Sequence, residues 1–299
     1  MNIGIITVRD PDYHPNRRLR EAAVAQGHRL TLVHPYRVWS ELEDTTLSMV
    51  GMPGMASLDV VLPRQGATVG DSCLALIRHF SLSGIPVVNG LDSIRLARNK
   101  FLTLQALAKA RIPVLHTLFV NSESGFHEAL IRLGGYPVVI KQVSSRQGEG
   151  VILVEKTHNE QTVTRKYLDK RKGLLVQRFI PPEGRQDIRA LVVGGNIVGA
   201  MELHPRKGDF RANYHLSKES KPRDLTPELA RISLEATNAV GLEISGVDVM
   251  VDKEGQISVT EVNYSPGFKG LEAATGFDIA DRIVGYVAET YGGSKHISD

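Results

Sequence analysis

Short apolar runs alternate with segments of helical spacing through the first ninety positions. Ile3–Thr7 reads as a buried strand. Leu19, Ala22, Ala23 and Gln26 recur at three- and four-residue intervals within Arg17–Gln26, and Gly27 fits the stop after that helix. Leu30–Val33 and Val60–Pro63 are the next apolar runs. Cys73, Leu74, Ile77 and Phe80 form a helical stripe, and the strand-like Pro86–Asn89 follows Gly84. Strands alternating with helices favour a parallel sheet with crossover helices.

Beyond residue 90 the pattern changes. Asp92 is suited to cap one helix over Ser93–Lys109, with Ile94, Ala97, Phe101, Leu104 and Leu107 on its apolar face. After Ile112-Pro113 come a strand at Leu118–Val120, a helix near Glu123–Leu133, and a strand ending in Lys141. The glycine-bearing loop Ser144–Gly150 leads to Val151–Val154, then to a helix near Asn159–Leu168 and a strand at Leu174–Ile180. Asp187–Val193 and Ile197–Leu203 alternate with period two around Gly194-Gly195-Asn196, a hairpin signal. Pro205–Asp224 shows no clear element. Thr226 reads as an N-cap with Pro227 behind it, for a helix ending near Gly241. A second hairpin pairs Gly246–Val251 with Gln256–Asn263, and a last helix spans about Asp278–Tyr291.

With 299 residues, the chain suggests two or three domains. The breaks fall at 1–92, 93–184 and 185–299. A 42% hydrophobic and 23% charged composition is that of a globular protein rather than a disordered one. The formal charge of +3 gives no basis for a nucleic-acid coat, so no direct nucleic-acid partner is expected. No apolar run approaches the roughly 18 residues of a membrane span, and the apolar start is short for a signal peptide. The single cysteine, Cys73, excludes an internal disulfide and a cysteine zinc cage. A cytoplasmic protein without a membrane partner is the expectation. Neither a His-Glu-x-x-His pattern nor a Gly-x-Ser-x-Gly elbow occurs.

The second hairpin carries the first chemical clue. Asp248 interrupts an apolar strand whose alternate face holds Val247, Val249 and Val251, and Glu261 and Asn263 share one face of the returning strand. A two-residue turn at Glu254-Gly255 sets Asp248 opposite Glu261, whereas a three-residue loop leaves them diagonal. Like charges placed opposite destabilise a sheet, and a hard divalent cation reverses that. The alternative is two solvent-facing acids on an edge hairpin. The loop Ser144–Gly150 could cradle phosphate or simply turn the chain. Lys141 could meet an anion or point into water, and Asp187 and Arg189 fall on one strand face. Arg206, Lys207, Arg211 and Asn213 crowd the following polar stretch, which is either a solvated charged loop or one suited to an anionic ligand.

In their order along the chain, these pieces resemble the ATP-grasp ligases. They are the lysine-tipped strand, the glycine loop, Leu174–Ile180, Asp187-Ile188-Arg189, Gly208–Asn213, Gly246-Val247-Asp248 and Glu261–Gly267. From Arg17–Ala22 to Thr275–Ala280 the whole chain is similar to the RimK-like branch, the ribosomal-protein glutamate ligases and their relatives. The resemblance implies an α/β fold with α+β subdomains: an N-terminal parallel α/β domain followed by two α+β subdomains that clamp ATP. It implies that Lys100 and Lys141 contact ATP phosphates and that Gln147, Gly148 and Gly150 belong to a closing loop. Gln177, Arg178, Phe179 and Ile180 would form the adenine-reading hinge, Asp187 a nucleotide position, and Arg211 and Asn213 neighbours of the γ-phosphate. Asp248, Glu261 and Asn263 would bind two Mg²⁺ ions, Mn²⁺ being possible, with Glu261 bridging.

The activity implied is phosphorylation of a carboxylate by ATP, then attack of an amine to form an amide. Arg211 and Lys141 are its catalytic candidates. Glutamate is the first candidate amino acid, a protein or peptide C-terminus the acceptor, and a homo-oligomer the expected assembly. Alternatives are a small-molecule amino-acid, dipeptide or cofactor ligase, and an ATP-binding regulatory module without turnover. Arg64 and Arg189 are candidate substrate residues. Two departures stand out: Arg178 occupies a hinge position usually acidic in relatives, and Tyr214–Glu219 replaces a basic, glycine-rich turn.

Overall fold

The computed structural model describes the chain except residues 52, 53, 55, 56, 65–69, 144–149, 207, 212–216 and 294–299. β1 (Asn2–Ile6) runs parallel to β2 (Arg29–Val33) and β5 (Val60–Pro63), in the order β2-β1-β5. Ile3, Ile5 and Ile6 are all buried, because helices and neighbouring units cover both faces of a crossover sheet. α1 (His14–Ala25) crosses between β1 and β2, and Gly27 takes the left-handed conformation after it. α2 (Asp71–Leu82) follows β5 and buries Cys73, Ile77 and Phe80. The strand expected at Pro86–Asn89 reduces to one bridge, Val61 to Val87, since Pro86 has no N–H to extend a ladder. A mostly exposed hairpin of β3 (Trp39–Glu43) and β4 (Thr46–Val50) was not expected, its alternation being limited to Leu47 and Met49.

The helix expected over Ser93–Lys109 is two helices, α3 (Leu91–Ala97) and α4 (Lys100–Lys109). Asn99 breaks it. Its side chain accepts from the Phe101 and Leu102 amides at 3.0 and 3.1 Å, and a residue capping α4 cannot also continue α3. Gly90, not Asp92, holds the cap position of α3. Ile94, Leu104 and Leu107 nonetheless bury one continuous face.

The central unit is an antiparallel sheet, β6-β9-β7-β8, made of β6 (Thr117–Val120), β7 (Val138–Gln142), β8 (Val151–Val154) and β9 (Leu174–Arg178). α5 (Glu123–Arg132) and α6 (Glu160–Tyr167) cover one face, capped by Ser122 and Asn159. Phe126, Val138, Ile140 and Val176 give this unit its own core.

The third unit is a five-stranded antiparallel sheet, β12-β11-β10-β13-β14. β10 (Gln186–Val193) and β11 (Asn196–Pro205) meet at Gly194-Gly195, both at positive φ as a tight hairpin turn requires. β12 (Ser217–Pro222) lies inside Pro205–Asp224, where the sequence shows no clear element; it is an edge strand of polar sequence without apolar alternation. β13 (Ile244–Val251) and β14 (Ile257–Asn263) complete the sheet. α7 (Pro227–Val240) starts at the Thr226 cap and stops at Gly241, φ +71°, as its sequence indicates. α8 (Lys269–Thr275) and α9 (Ile279–Tyr291) end the described chain.

Two of the three cores draw on both ends of the chain. Ile6, Val61 and Phe80 share one with Ile232, Val247 and Val249, while Ile3, Ile5 and Leu19 share another with Leu191, Met201 and Ile283. The buried Asn89 side chain joins these parts. It donates to the Ile244 and Tyr264 carbonyls at 2.7 and 2.8 Å and accepts from the Glu243 and Ile244 amides at 2.7 and 2.9 Å.

Candidate active site

The register of the third sheet puts four residues in one row: Met201, Arg189, Asp248 and Glu261. Residues directly opposite share a face, so Arg189, Asp248 and Glu261 stand together, with Asp187 and Asn263 two positions away on the same face. Asp248 does face Glu261, but not through a two-residue turn. Asp252 pairs with Gln256 around the three-residue loop Lys253-Glu254-Gly255, with Gly255 at φ +82°. A bulge at Thr260 then takes up the extra residue between Asp248 and Val249 and restores the facing pair. Without it Thr260 would oppose Asp248, and Glu261 would turn toward the apolar side.

The facing carboxylates are matched by cations. Arg189, a candidate substrate residue, grips Asp248 through Nε and Nη2, both contacts 2.6 Å, and so is a partner of the hairpin acid. Attraction to Asp248 outweighs burial and holds the Arg189 guanidinium above its ordinary range. Lys100, first residue of α4, reaches Glu261 at 3.4 Å, and its amide donates to Val143 just past β7. Burial alone would raise Glu261, yet Lys100, Lys141 and Arg189 outweigh it and keep the carboxyl below its usual range. Lys141, on β7, is pushed down to about 8 by burial, with Glu261 opposing and Lys100 reinforcing the shift. Two lysines crowded beside one carboxylate, one of them shifted down by burial, make a setting suited to an anionic ligand.

Asp187 is paired with Arg185 at 2.8 Å, and burial raises its carboxyl despite that partner. Arg185, absent from the sequence-derived candidates, also donates to the Ile180 and Phe210 carbonyls at 2.7 and 2.6 Å. It thereby ties the segment after β9 to β10 and to the polar stretch. Only its place two residues before Asp187 hinted at this. Phe179 and Phe210 meet edge to face at 5.9 Å, in the same junction. Gln177 is buried and donates to Thr117 Oγ1 at 2.8 Å, whereas Arg178 ends β9 exposed, its amide bound to His116 O. Arg211 folds back on Asp209 through Nε and Nη2, at 3.0 and 2.9 Å. Gly150 opens β8 at φ +73°, its carbonyl accepting from Gln142 N. Gln147, Gly148 and Asn213 lie outside the described residues. Arg64 lies against Pro266 and Phe268, in the segment that follows β14.

Asp248, Glu261 and Asn263 present an all-oxygen donor set of the kind hard cations take, and a carboxylate bound by one guanidinium keeps lone pairs for a metal. Asn263 Nδ2 lies 3.4 Å from Asp248 Oδ2, and the strand register sets Glu261 opposite Asp248. Among the described residues no group of three or more His, Cys, Asp or Glu forms a competing metal site. No described helix is long and apolar enough to cross a membrane.

Comparison with known proteins identifies the family. Residues 1–94 match the RimK PreATP-grasp domain and residues 97–287 the RimK-like ATP-grasp domain. The chain is 34% identical over 291 residues to the probable alpha-L-glutamate ligase of Thioalkalivibrio sulfidiphilus, covering 97% of this chain and 96% of that protein. Among solved structures, a RimK-domain ATP-grasp protein from Sphaerobacter thermophilus superposes with a TM-score of 0.73 at 25% identity, over 96% of this chain and 99% of that one. The ATP-grasp ligase PsnB, complexed with a minimal precursor, Mg and ADP, shares the fold at a TM-score of 0.72 and 18% identity, over 96% and 97% of the chains. A lysine-tipped strand and an acidic hairpin in this chain order, with family matches spanning both parts, make the protein a member of the RimK-like ATP-grasp family.

Proposed function

We propose that the protein is an ADP-forming carboxylate–amine ligase that uses ATP and Mg²⁺ and adds an amino acid, glutamate first, to a protein or peptide C-terminus. The observation that carries this is one cluster of opposed charges. Lys100 and Lys141 converge beside Glu261, and Glu261 faces Asp248.

In this reading Lys100 and Lys141 hold the nucleotide phosphates, and residues 93–184 and 185–299 clamp the nucleotide between them. Asp248, Glu261 and Asn263 would hold magnesium, which would supply charge neutralisation and alignment of the phosphate oxygens. The γ-phosphoryl passes to a substrate carboxylate oxygen, the bond to the β-phosphate oxygen breaks, and ADP leaves. An amine then forms a C–N bond at the acyl carbon, phosphate departs, and the ammonium proton is lost. Arg211 is placed by Asp209, and we assign it to the transferring phosphoryl, where one well-aimed donor is worth about 3 kcal/mol of barrier. Gln147, Gly148 and Gly150 would close over the phosphates and keep water from the acyl phosphate. Phe179, Ile180 and the Arg178 backbone would meet the base, and Arg185 would keep Asp187 and that segment in place.

The test is mass spectrometry of candidate peptide and protein acceptors incubated with enzyme, ATP, Mg²⁺ and each amino acid. Mass increments of one or more glutamyl residues at a C-terminus, with matching ADP, are expected. ADP release with free amino acids and no peptide-dependent product would replace the acceptor with a small molecule. Nucleotide binding with no product across the panel would remove the ligase reading.

A further inference from the structure

Arg64 immediately follows β5, at the carboxyl edge of the parallel sheet, where open α/β sheets bind their ligands. Its Nη2 donates to Pro266 O at 2.5 Å, its Cζ lies 5.9 Å from the Phe268 ring centroid, and its Nε is buried without a hydrogen-bond partner. No carboxylate pairs with it among the described residues, whereas Arg185, Arg189 and Arg211 each grip an acid. Burial pushes this guanidinium down to about 10, opposed only by Tyr13 and Tyr264. His14, at the start of α1, packs edge-on against the same Phe268 ring at 5.8 Å, and its Nδ1 is likewise buried and unpartnered. Two cation-capable side chains from separate parts of the N-terminal unit therefore meet one ring with hydrogen-bonding capacity unused. His14 Nε2 is already paired with Glu272 at 3.3 Å, so within the group it is Arg64 that meets no acid among the described residues; Pro266, three residues beyond Asn263, sets the group beside the end of β14.

We propose that Arg64 is a carboxylate-docking residue for the amine-bearing substrate, with His14 and Phe268 forming the wall behind it. This rests on the ligase reading above. When the nucleophile is an amino acid it carries a carboxylate that must not be activated. A planar guanidinium at the seam, away from the lysines assigned to phosphate, holds that carboxylate bidentately and turns the amine toward the acyl carbon. The arrangement selects amine donors that are acids over those that are amides.

The full chain is titrated, with Mg²⁺ and a non-hydrolysable ATP analogue present, with the amino acids and their α-amides, and with L-glutamine beside L-glutamate. The readout is the shift in melting temperature, and the same ligands are run through ADP-release kinetics with ATP. At least one amine donor is expected to bind roughly tenfold to a hundredfold more tightly as the acid than as its amide, the range for a lost charge-assisted hydrogen bond. Arg64→Lys and Arg64→Gln, the second keeping a donor for the Pro266 carbonyl, should bring that ratio close to one and raise KM for the donor, with KM for ATP unchanged. Equal binding of acid and amide across the panel in the unsubstituted protein overturns the proposal. So does a ratio that survives in whichever variant folds. Arg64-dependent acid selectivity without any ADP or amide product leaves the carboxylate site standing and removes the ligase reading. Turnover indifferent to acid or amide does the reverse.

Discussion

Glu261 is where most of the local electrostatics converge, between Lys100, Lys141 and Arg189 and opposite Asp248. Glu261→Gln keeps the shape and removes the charge. It should lower turnover by about a thousandfold or more, the scale of a lost electrostatic element, while the circular dichroism spectrum stays unchanged. Near-normal product formation would show that Glu261 is not a metal ligand. Lys141 gives the pH signature. Folded, it loses its proton near pH 8; unfolded, near the ordinary 10.5. Between these values the unfolded chain binds more protons, so the nucleotide-free protein gains stability as pH rises through that window, with no contribution from this group to the slope below it. Nucleotide affinity should run the other way, because phosphate needs the ammonium. Between about pH 7 and pH 9.5 it should fall about tenfold, and Lys141→Arg should flatten that fall, since a guanidinium stays charged. Calorimetric titration across pH checks both.

The elements around the site are placed by single local devices. Asn99 ends α3 and starts α4, which sets Lys100 at a helix start beside β7. Asn99→Ala removes that cap and should cost about 1 kcal/mol in urea denaturation. It should also raise KM for ATP severalfold, because the first turn that carries Lys100 loses its anchor. A stability loss with unchanged KM would separate the cap from the site. The hairpin of β13 and β14 shows the same economy. Its three-residue loop would misalign the carboxylates, and the bulge at Thr260 corrects the register. Thr260 Oγ1 donates to Asp248 O at 3.2 Å across that bulge.

At the scale of the whole molecule, the N-terminal and C-terminal parts are packed as one body, since two cores include residues from both. The central sheet keeps a separate core. Asn89 is the polar counterpart of that shared packing, with both ends of its amide satisfied by backbone of the third unit. Asn89→Ala should destabilise the protein by about 3 kcal/mol or more in urea denaturation, because buried carbonyls and amides lose partners as well as the side chain. A loss below 1 kcal/mol would mean that the joint rests on apolar contacts alone.

Element types and most helix ends were legible in the sequence, because caps, glycine stops and apolar spacing are local. Thr226 and Gly241 bound α7, and Gly194-Gly195 turns β10 into β11. Signals written as contrast between apolar and polar positions failed where burial gives no contrast. The edge strand β12 is polar, the hairpin of β3 and β4 is exposed, and the apolar face of 93–109 runs unbroken across a cap. Residue chemistry alone singled out Asp248, Glu261 and Asn263 as potential oxygen ligands. Which of them face one another depended on a one-residue bulge, and pairing across strands is a tertiary property. For the same reason Arg189 became the partner of Asp248, Arg185 emerged beside Asp187, and Arg64 met no acid among the described residues. The sequence determines which charges exist and on which strand face they fall; only packing decides which of them cancel and which remain for a ligand.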